Sequence, residues 1–544
     1  MKLFEFDTLR NFILEKSKVY SDRTVYKFYD KSGEMVCISY GKFSEDIEEL
    51  GTYLINKGYY KRRIAIISEN SYDWIRLFFA ISFSGNICVP IARDLGQEII
   101  AENLKNVDCN TVFYSRNSKR VIESMIKNND SMDLDLHSMD EMEKYIEEGR
   151  SAIRGGDSSF AQKEVLPDDA AAIYFTSGTT GSQKGVVLTQ RNLAYNYQSC
   201  GERLCDSTKK NLFMLILPLT HALSLSTMCE IFPEGRTAFI CKGIKHFFTD
   251  MTTVRPDIIA IVPMFMETVY KEVMSELEAK HLQLPYKALC VLSNTLLKMG
   301  IDCRRVFFKQ ILERVGGNLE VIVTGGAPIN QTIVDAFSTW GIGIVSGYGI
   351  TECAPIVTVN DYKDIVPNSV GAPIRGVDVI IDSPDENGIG EVCVKGPMVM
   401  NGYYNRPDET AKALRNGVFH TGDLGRLDSN GQLFLTGRSK NLIILSNGEN
   451  ISPEYLENKL IKFMIIKETV VYQFDNSIVA EIFPNSSYIA KNNITDVKKS
   501  CEDCVNQINK EIPAYARISK VVVRDTEFLK NSAQKIKRSE VGAN

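Results

Sequence analysis

Residues 174–185 read Tyr174-Phe175-Thr176-Ser177-Gly178-Thr179-Thr180-Gly181-Ser182-Gln183-Lys184-Gly185. Small and hydroxyl residues fill the run, and one lysine closes it. Glycine admits positive φ and lets a ligand come close to the backbone. Exposed amide N–H groups and hydroxyls donate to phosphate oxygens, and a lysine adds a point charge. The chemistry this suggests is the cradling of a polyphosphate. The run is not a Walker A loop, which needs Gly-Lys-Ser/Thr followed by a helix. Here Gln183 precedes Lys184, and the next residues, Gly185-Val186-Val187-Leu188, favour a strand. Thr189 is the expected N-cap of a helix running to about residue 204. Ala170-Ala171-Ala172-Ile173-Tyr174-Phe175 reads as a buried strand, so the cradle is expected to join two strands.

Further candidates follow downstream. In Gly347-Tyr348-Gly349-Ile350-Thr351-Glu352 the glycines allow a tight turn beside a ligand. Tyr348 can stack on a nucleobase, Thr351 can donate to a phosphate, and Glu352 can hold Mg²⁺. Gly325-Gly326-Ala327-Pro328 is a small-residue turn after an apolar run. Thr421-Gly422-Asp423 offers a carboxylate that can accept from both ribose hydroxyls, although an aspartate in a turn is more often an Asx-turn residue. Lys535 lies in a basic tail, Asn531-Ser532-Ala533-Gln534-Lys535-Ile536-Lys537-Arg538. Cys501 and Cys504 make a single Cys-x-x-Cys without a second pair or nearby histidines. With Ile494, Val497, Val505 and Ile508 they share one helical face, which favours core packing over a zinc site.

The elements expected to carry these residues alternate. Residues 43–57 read as an amphipathic helix, 63–68 as a parallel strand, 71–84 as a helix and 86–90 as the next strand, a βαβ pattern. Residues 128–165 are polar and poorly patterned and are expected to be peripheral. Strands recur at 212–218, 257–263, 319–324 and 343–346, each ending in Gly, Pro or hydroxyl residues. In open α/β sheets ligands bind beyond the carboxyl ends of the strands. From about residue 375 the pattern changes to short alternating runs divided by Asn387-Gly388, Asn430-Gly431 and Asn447-Gly448, which are hairpin signals. Ser452 and Pro453 open a helix, and two strands flank residues 475–477. The expected fold is α/β: a large N-terminal domain, residues 1–437, of layered βαβ units plus a hairpin-rich subdomain, and a small mobile α+β domain, residues 438–544.

The 544 residues are 44% hydrophobic and 24% charged, an ordinary globular composition that fits roughly two to four domains. Net charge is −5, which argues against a nucleic-acid partner. Thirteen scattered cysteines and a charged first segment, Met1-Lys2-Leu3-Phe4-Glu5, lead us to expect reduced thiols and a cytoplasmic location. The most apolar stretch, 77–91, is too short to span a bilayer. Loose attachment to a membrane surface stays open.

Taken in order, these motifs resemble those of the adenylate-forming enzymes: acyl-CoA synthetases, adenylation domains of peptide synthetases and beetle luciferases. The likeness covers nearly all of residues 20–540 and is strongest to bacterial medium- and long-chain fatty acid CoA ligases. Gln183 and Gln534 stand where the family usually has proline and glycine. The resemblance implies that Thr176, Ser177, Gly178, Thr179, Thr180, Gly181 and Lys184 bind the phosphates of ATP. It implies that Gly326, Ala327, Pro328 and Tyr348 face adenine, that Asp423 and Arg438 grip ribose and phosphate, and that Thr351 and Glu352 act at phosphate and Mg²⁺. It places Lys535 between the substrate carboxylate and the α-phosphate, His221 and Gly347 at the acid, Lys440 at a hinge, and Gly448 near the path of coenzyme A. The implied reaction joins a carboxylate to ATP, releases pyrophosphate, and passes the acyl group from AMP to the thiol of coenzyme A. Two alternatives remain at this point: loading of an acyl carrier protein, and a non-catalytic nucleotide-binding regulator.

Overall fold

A computed structural model describes residues 4–129, 132–177, 183–200, 212–326, 329–361, 365–444, 450–475, 477–530 and 536–542. The chain divides into two compact units, residues 1–379 with 394–419 and residues 380–393 with 420–544.

The first unit holds two large sheets. One has seven strands, ordered Gly402–Tyr403, Gln183–Thr189, Ala170–Ser177, Ile87–Pro90, Arg63–Ile67, Thr111–Tyr114, Asp135–Ser138. The other has nine, ordered Ala372–Pro373, Ile356–Val359, Gly343–Gly349, Val321–Thr324, Ile258–Ile261, Leu212–Leu215, Thr237–Ile240, Thr24–Tyr29, Met35–Ser39. Apart from Gln183–Thr189 and Ile356–Val359, the inner strands of both are parallel. They are continuous apolar runs because helices cover both of their faces. Helix Tyr72–Phe83 is buried at every position but Asp73, and is capped by Ser71 accepting from the Trp74 amide.

The sequence expectation fails at residues 128–165. Strand Asp135–Ser138 extends the seven-stranded sheet, and helix Met142–Arg154 packs on helix Tyr40–Asn56. Its buried face is Met142, Tyr145, Ile146 and Gly149, a true helical spacing hidden by the charged residues around it. A Cβ at Gly149 would stand 1.8 Å from the Glu49 carbonyl oxygen, so glycine is what lets the two helices touch. Ion pairs from Arg150 to Glu49 and from Arg76 to Glu143 fasten the same helix.

A five-stranded sheet contains Asp378–Asp382, Gly390–Lys395, Val418–Leu427 and Leu414–Arg415 in order, with Leu433–Arg438 paired on Val418–Leu427. The turns at Asn387-Gly388 and Asn430-Gly431 join its strands, with Gly388 and Gly431 at positive φ. Asn447 and Gly448 lie outside the described residues. The last part of the second unit packs helices Pro453–Leu460 and Val497–Asn509 on strands Ile466–Phe474, Ser477–Pro484 and Lys520–Val523. Cys501, Val505 and Ile508 are buried in that core, with Cys504 against it, which settles the Cys-x-x-Cys as packing.

Candidate functional site

The cradle's flanks form an antiparallel ladder in which Thr176 faces Lys184 and Ser177 faces Gln183. The tip, with Gly178, Thr179, Thr180 and Gly181, lies outside the described residues, as do Ala327, Pro328, Gly448 and Lys535. Thr189 caps helix Gln190–Cys200 by accepting from the Asn192 amide at 3.2 Å. Gln183, in place of the family's proline, is tethered by Asn103 Nδ2 at 2.8 Å.

Lys184 and Glu352 are joined through Tyr403, a residue of the run Gly402-Tyr403-Tyr404 to which the sequence alone assigns no role. Tyr403 Oη donates to Glu352 Oε1 at 2.9 Å, and Lys184 Nζ sits 5.0 Å from the centre of the Tyr403 ring. Lys184 Nζ is also 3.1 Å from Glu409 Oε2. Burial first, and the Glu352 charge second, push the Tyr403 phenol well above its ordinary range. The phenol therefore stays protonated and remains a donor to the carboxylate. Tyr403 is placed because strand Gly402–Tyr403 adds to the edge of Gln183–Thr189, with Tyr403 opposite Val186.

Two buried asparagines on helix Gln190–Cys200 hold the turn that presents Glu352. Asn196 Nδ2 donates to the Cys353 and Ile356 carbonyls at 3.2 and 2.8 Å. One turn earlier, Asn192 Nδ2 donates to the Pro397 and Val399 carbonyls at 2.8 and 2.9 Å. The Met400 amide then donates to the Glu352 carbonyl at 2.8 Å. Spacing of i, i+4 puts both amides on one helix face. A search for such pairs just after the cradle would have found them.

Strands Val321–Thr324 and Gly343–Gly349 run in register, Thr324 beside Ser346, which brings Gly325 and Gly326 to Gly347 and Tyr348. A Cβ at Gly325 would lie 3.1 Å from the Gly347 oxygen, whereas one at Gly326, at φ +77°, would meet nothing. Gly326 thus borders open space. Tyr348 is buried. Thr351 opens the short turn Thr351–Cys353 that carries Glu352. His221 stands at the N-terminus of helix Ala222–Cys229, after a segment fixed by Asn70, which donates to the Leu217 carbonyl and accepts from the Leu219 amide. Leu225 and Met266 are buried in the core, and Met264 is exposed.

In the second unit Asp423 faces Arg438 across two strands, with Arg438 Nε 2.8 Å from Asp423 Oδ1. Asp423 is buried and Arg438 half exposed. The turn before Asp423 is held on every side. Thr421 Oγ1 donates to the Val392 carbonyl at 2.7 Å and accepts from the Asp423 amide at 3.0 Å. Glu391 Oε1 accepts from the Gly422 amide at 2.9 Å, and Glu391 Oε2 lies 3.0 Å from His420 Nδ1. Gly422, at φ +72°, is the conformation that favours glycine. Glu391 and His420 escaped the sequence reading because they lie 29 positions apart. Lys440 follows in the turn Ser439–Asn441, and burial, then the Arg438 charge, lower its pKa.

An ATP–magnesium complex needs carboxylate oxygen for the metal and donors for the phosphates. Glu352, oriented by Tyr403 beside Lys184, is a fitting donor set.

The pattern of the AMP-binding enzyme family matches residues 14–404, and that of the AMP-binding enzyme C-terminal domain matches residues 440–544. The chain therefore belongs to the AMP-binding enzyme family, whose chemistry is acyl-adenylate formation followed by CoA thioester formation. That makes it an AMP-forming acid–thiol ligase. Among curated relatives, long-chain-fatty-acid CoA ligase 5 of Rattus norvegicus is 28% identical over 518 residues, covering 87% of this chain and 75% of that one. Long-chain-fatty-acid CoA ligase FadD15 of Mycobacterium tuberculosis is 26% identical over 433 residues, covering 75% and 70%. Among solved structures, the o-succinylbenzoate CoA synthetase of Bacillus subtilis with its acyl-adenylate intermediate aligns over 98% of both chains at TM-score 0.74 and 18% identity. A Mycobacterium tuberculosis fatty acyl CoA synthetase aligns over 98% and 97% at TM-score 0.67 and 21% identity. The fold is thus that of these synthetases. Among the described residues no helix is long and apolar enough to cross a membrane.

Proposed function

We propose that the acid is a long-chain fatty acid and the acceptor coenzyme A. The names of the curated relatives support the acid. The observation that carries the site assignment is the linked set Lys184, Tyr403 and Glu352, which joins the phosphate cradle to an oriented carboxylate.

A carboxylate attacks the α-phosphorus of ATP, so two anions must meet and a growing charge must be spread. Fixed dipoles and cations do this best in a water-poor site. In our reading Thr176, Ser177, Gly178, Thr179, Thr180, Gly181 and Lys184 wrap the phosphates. Gly326, Ala327, Pro328 and Tyr348 enclose the adenine, and Asp423 accepts from the ribose hydroxyls with Arg438 beside it. Thr351 donates to phosphate, and Glu352 holds Mg²⁺, which when bound neutralises phosphate charge. Lys535 bridges the attacking carboxylate and the α-phosphate. His221 and Gly347 border the acid.

Residues 438–544 then move as one body about Lys440 and open the thiol's path past Gly448. Gating by a moving domain is a recognised device for two-step reactions. Incubation with ATP, Mg²⁺ and acids of increasing chain length, with either coenzyme A or a purified acyl carrier protein, tests the reading. Thioester on coenzyme A, best with long chains, is the expected product. Thioester on the carrier protein alone would replace the acceptor, and a preference for short or aromatic acids would replace the acid.

A further inference from the structure

Helix Gln283–Lys298 and the residues around it break the usual division into a wet face and a dry face. Its inner side lays Tyr286, Leu289 and Cys290 on the core that contains Trp340, and Tyr286 Oη accepts from Trp340 Nε1 at 3.0 Å. Large apolar side chains also stand out on its outer side and just past its end: Leu284 is 79% exposed, Val291 68% and Met299 70%. Val306, just beyond, is 75% exposed. Of the 22 large hydrophobic residues exposed among the described residues, eight fall within residues 282–306. Large exposed apolar side chains gathered on one stretch of a fold mark an interaction surface.

Charge says what the surface meets. The whole chain is net −5, yet residues 280–309 hold six Lys and Arg against one acid, Asp302. Lys280 is paired with Glu276, and Arg304 with Asp302. Lys287 and Lys298 have no ion-pair partner among the described residues. Both lie on the helix that bears Leu284, Val291 and Leu292. Apolar side chains ringed by long-stemmed cations suit an interface of hydrocarbon with negative headgroups, where lysine stems lie along apolar surface and their charges reach the phosphates.

We propose that the face made by residues 282–306 docks this chain on an anionic lipid bilayer, with Leu284, Val291, Leu292 and Met299 entering the acyl boundary. The attachment is monotopic and reversible, since the helix is short and its other side belongs to the core. It stands apart from the choice of acid proposed above, although a long-chain acid partitions into the same phase.

Vesicle co-sedimentation of the full chain, without ATP or acid, tests the proposal and is blind to turnover. The wild type should pellet with vesicles of phosphatidylglycerol and phosphatidylcholine, and bind at least about ten-fold more weakly to pure phosphatidylcholine or in about 1 M salt. Val291→Asp with Leu292→Asp should abolish binding, and Lys287→Gln with Lys298→Gln should weaken it about ten-fold or more. Both pairs should keep wild-type circular dichroism and pyrophosphate exchange with a short, soluble acid. The proposal is overturned if the wild type ignores anionic vesicles at every content tried, or if both double variants bind as the wild type does. Concentration-dependent dimers that the aspartate pair abolishes, without vesicle binding, would assign the face to a second copy and overturn it equally.

Discussion

Tyr403 holds the Glu352 carboxylate in one orientation by donating its phenol proton to Oε1. Its phenol stays protonated across the working pH range because burial and the neighbouring charge oppose ionisation. Tyr403→Phe removes one charge-assisted hydrogen bond, a loss of about 1.5–3 kcal/mol. We expect a roughly ten-fold or greater fall in acid-dependent pyrophosphate exchange and a rise in the Mg²⁺ needed for half-maximal rate, read by Mg²⁺ titration. An unchanged Mg²⁺ requirement would leave Tyr403 as packing alone. At this scale the sequence draws the eye to short runs of complementary chemistry, such as Thr351-Glu352 or Thr421-Gly422-Asp423. It was silent where partners meet from afar: Tyr403 lies 51 positions from Glu352, and Asn196 160 from Ile356.

The elements were readable wherever apolar periodicity was clean. Strands Arg63–Ile67, Ile258–Ile261 and Val321–Thr324 and helix Tyr72–Phe83 follow from continuous apolar runs or capping serines. Helix Met142–Arg154 was not, because its apolar residues are outnumbered by charges that pair with other elements. Gly149→Ala tests that contact. With a Cβ aimed at the Glu49 carbonyl, the variant should lose about 3 kcal/mol in denaturant unfolding of the first unit. A loss below about 0.5 kcal/mol would mean that the helices part freely.

A buried acid sets a pH dependence in the same unit. Glu230 at the end of helix Ala222–Cys229 is pushed up to about 7 by burial, against the opposing hydrogen bond from Ser226 and the charge of Arg236. Its folded pKa is raised above the unfolded value near 4.5, so the folded state binds the extra proton between those values. Stability from this group is present below about pH 4.5 and is lost as pH rises through about 7. Relative to Glu230→Gln, the wild type should lose up to about 3 kcal/mol between pH 5 and 8. Denaturation curves of both proteins across that range read the difference, and parallel pH profiles would refute it.

The chain divides into two compact units, and we propose that residues 438–544 of the second alternate between an adenylating and a thioester-forming arrangement. Lys440→Pro fixes φ in the turn after Arg438. It should slow thioester formation from preformed acyl-adenylate by about ten-fold or more while leaving pyrophosphate exchange within about two-fold. Equal loss in both half-reactions would remove the hinge.

In the proposed reaction a fatty carboxylate strikes the α-phosphorus of ATP. Fatty-acid-dependent exchange of labelled pyrophosphate into ATP measures that step directly. Exchange should require acid and Mg²⁺, rise with acyl chain length, and fall about 10²-fold or more in Lys535→Ala. A folded, ATP-binding protein that supports no exchange with any carboxylic acid, or whose Lys535→Ala variant exchanges at the wild-type rate, would contradict it.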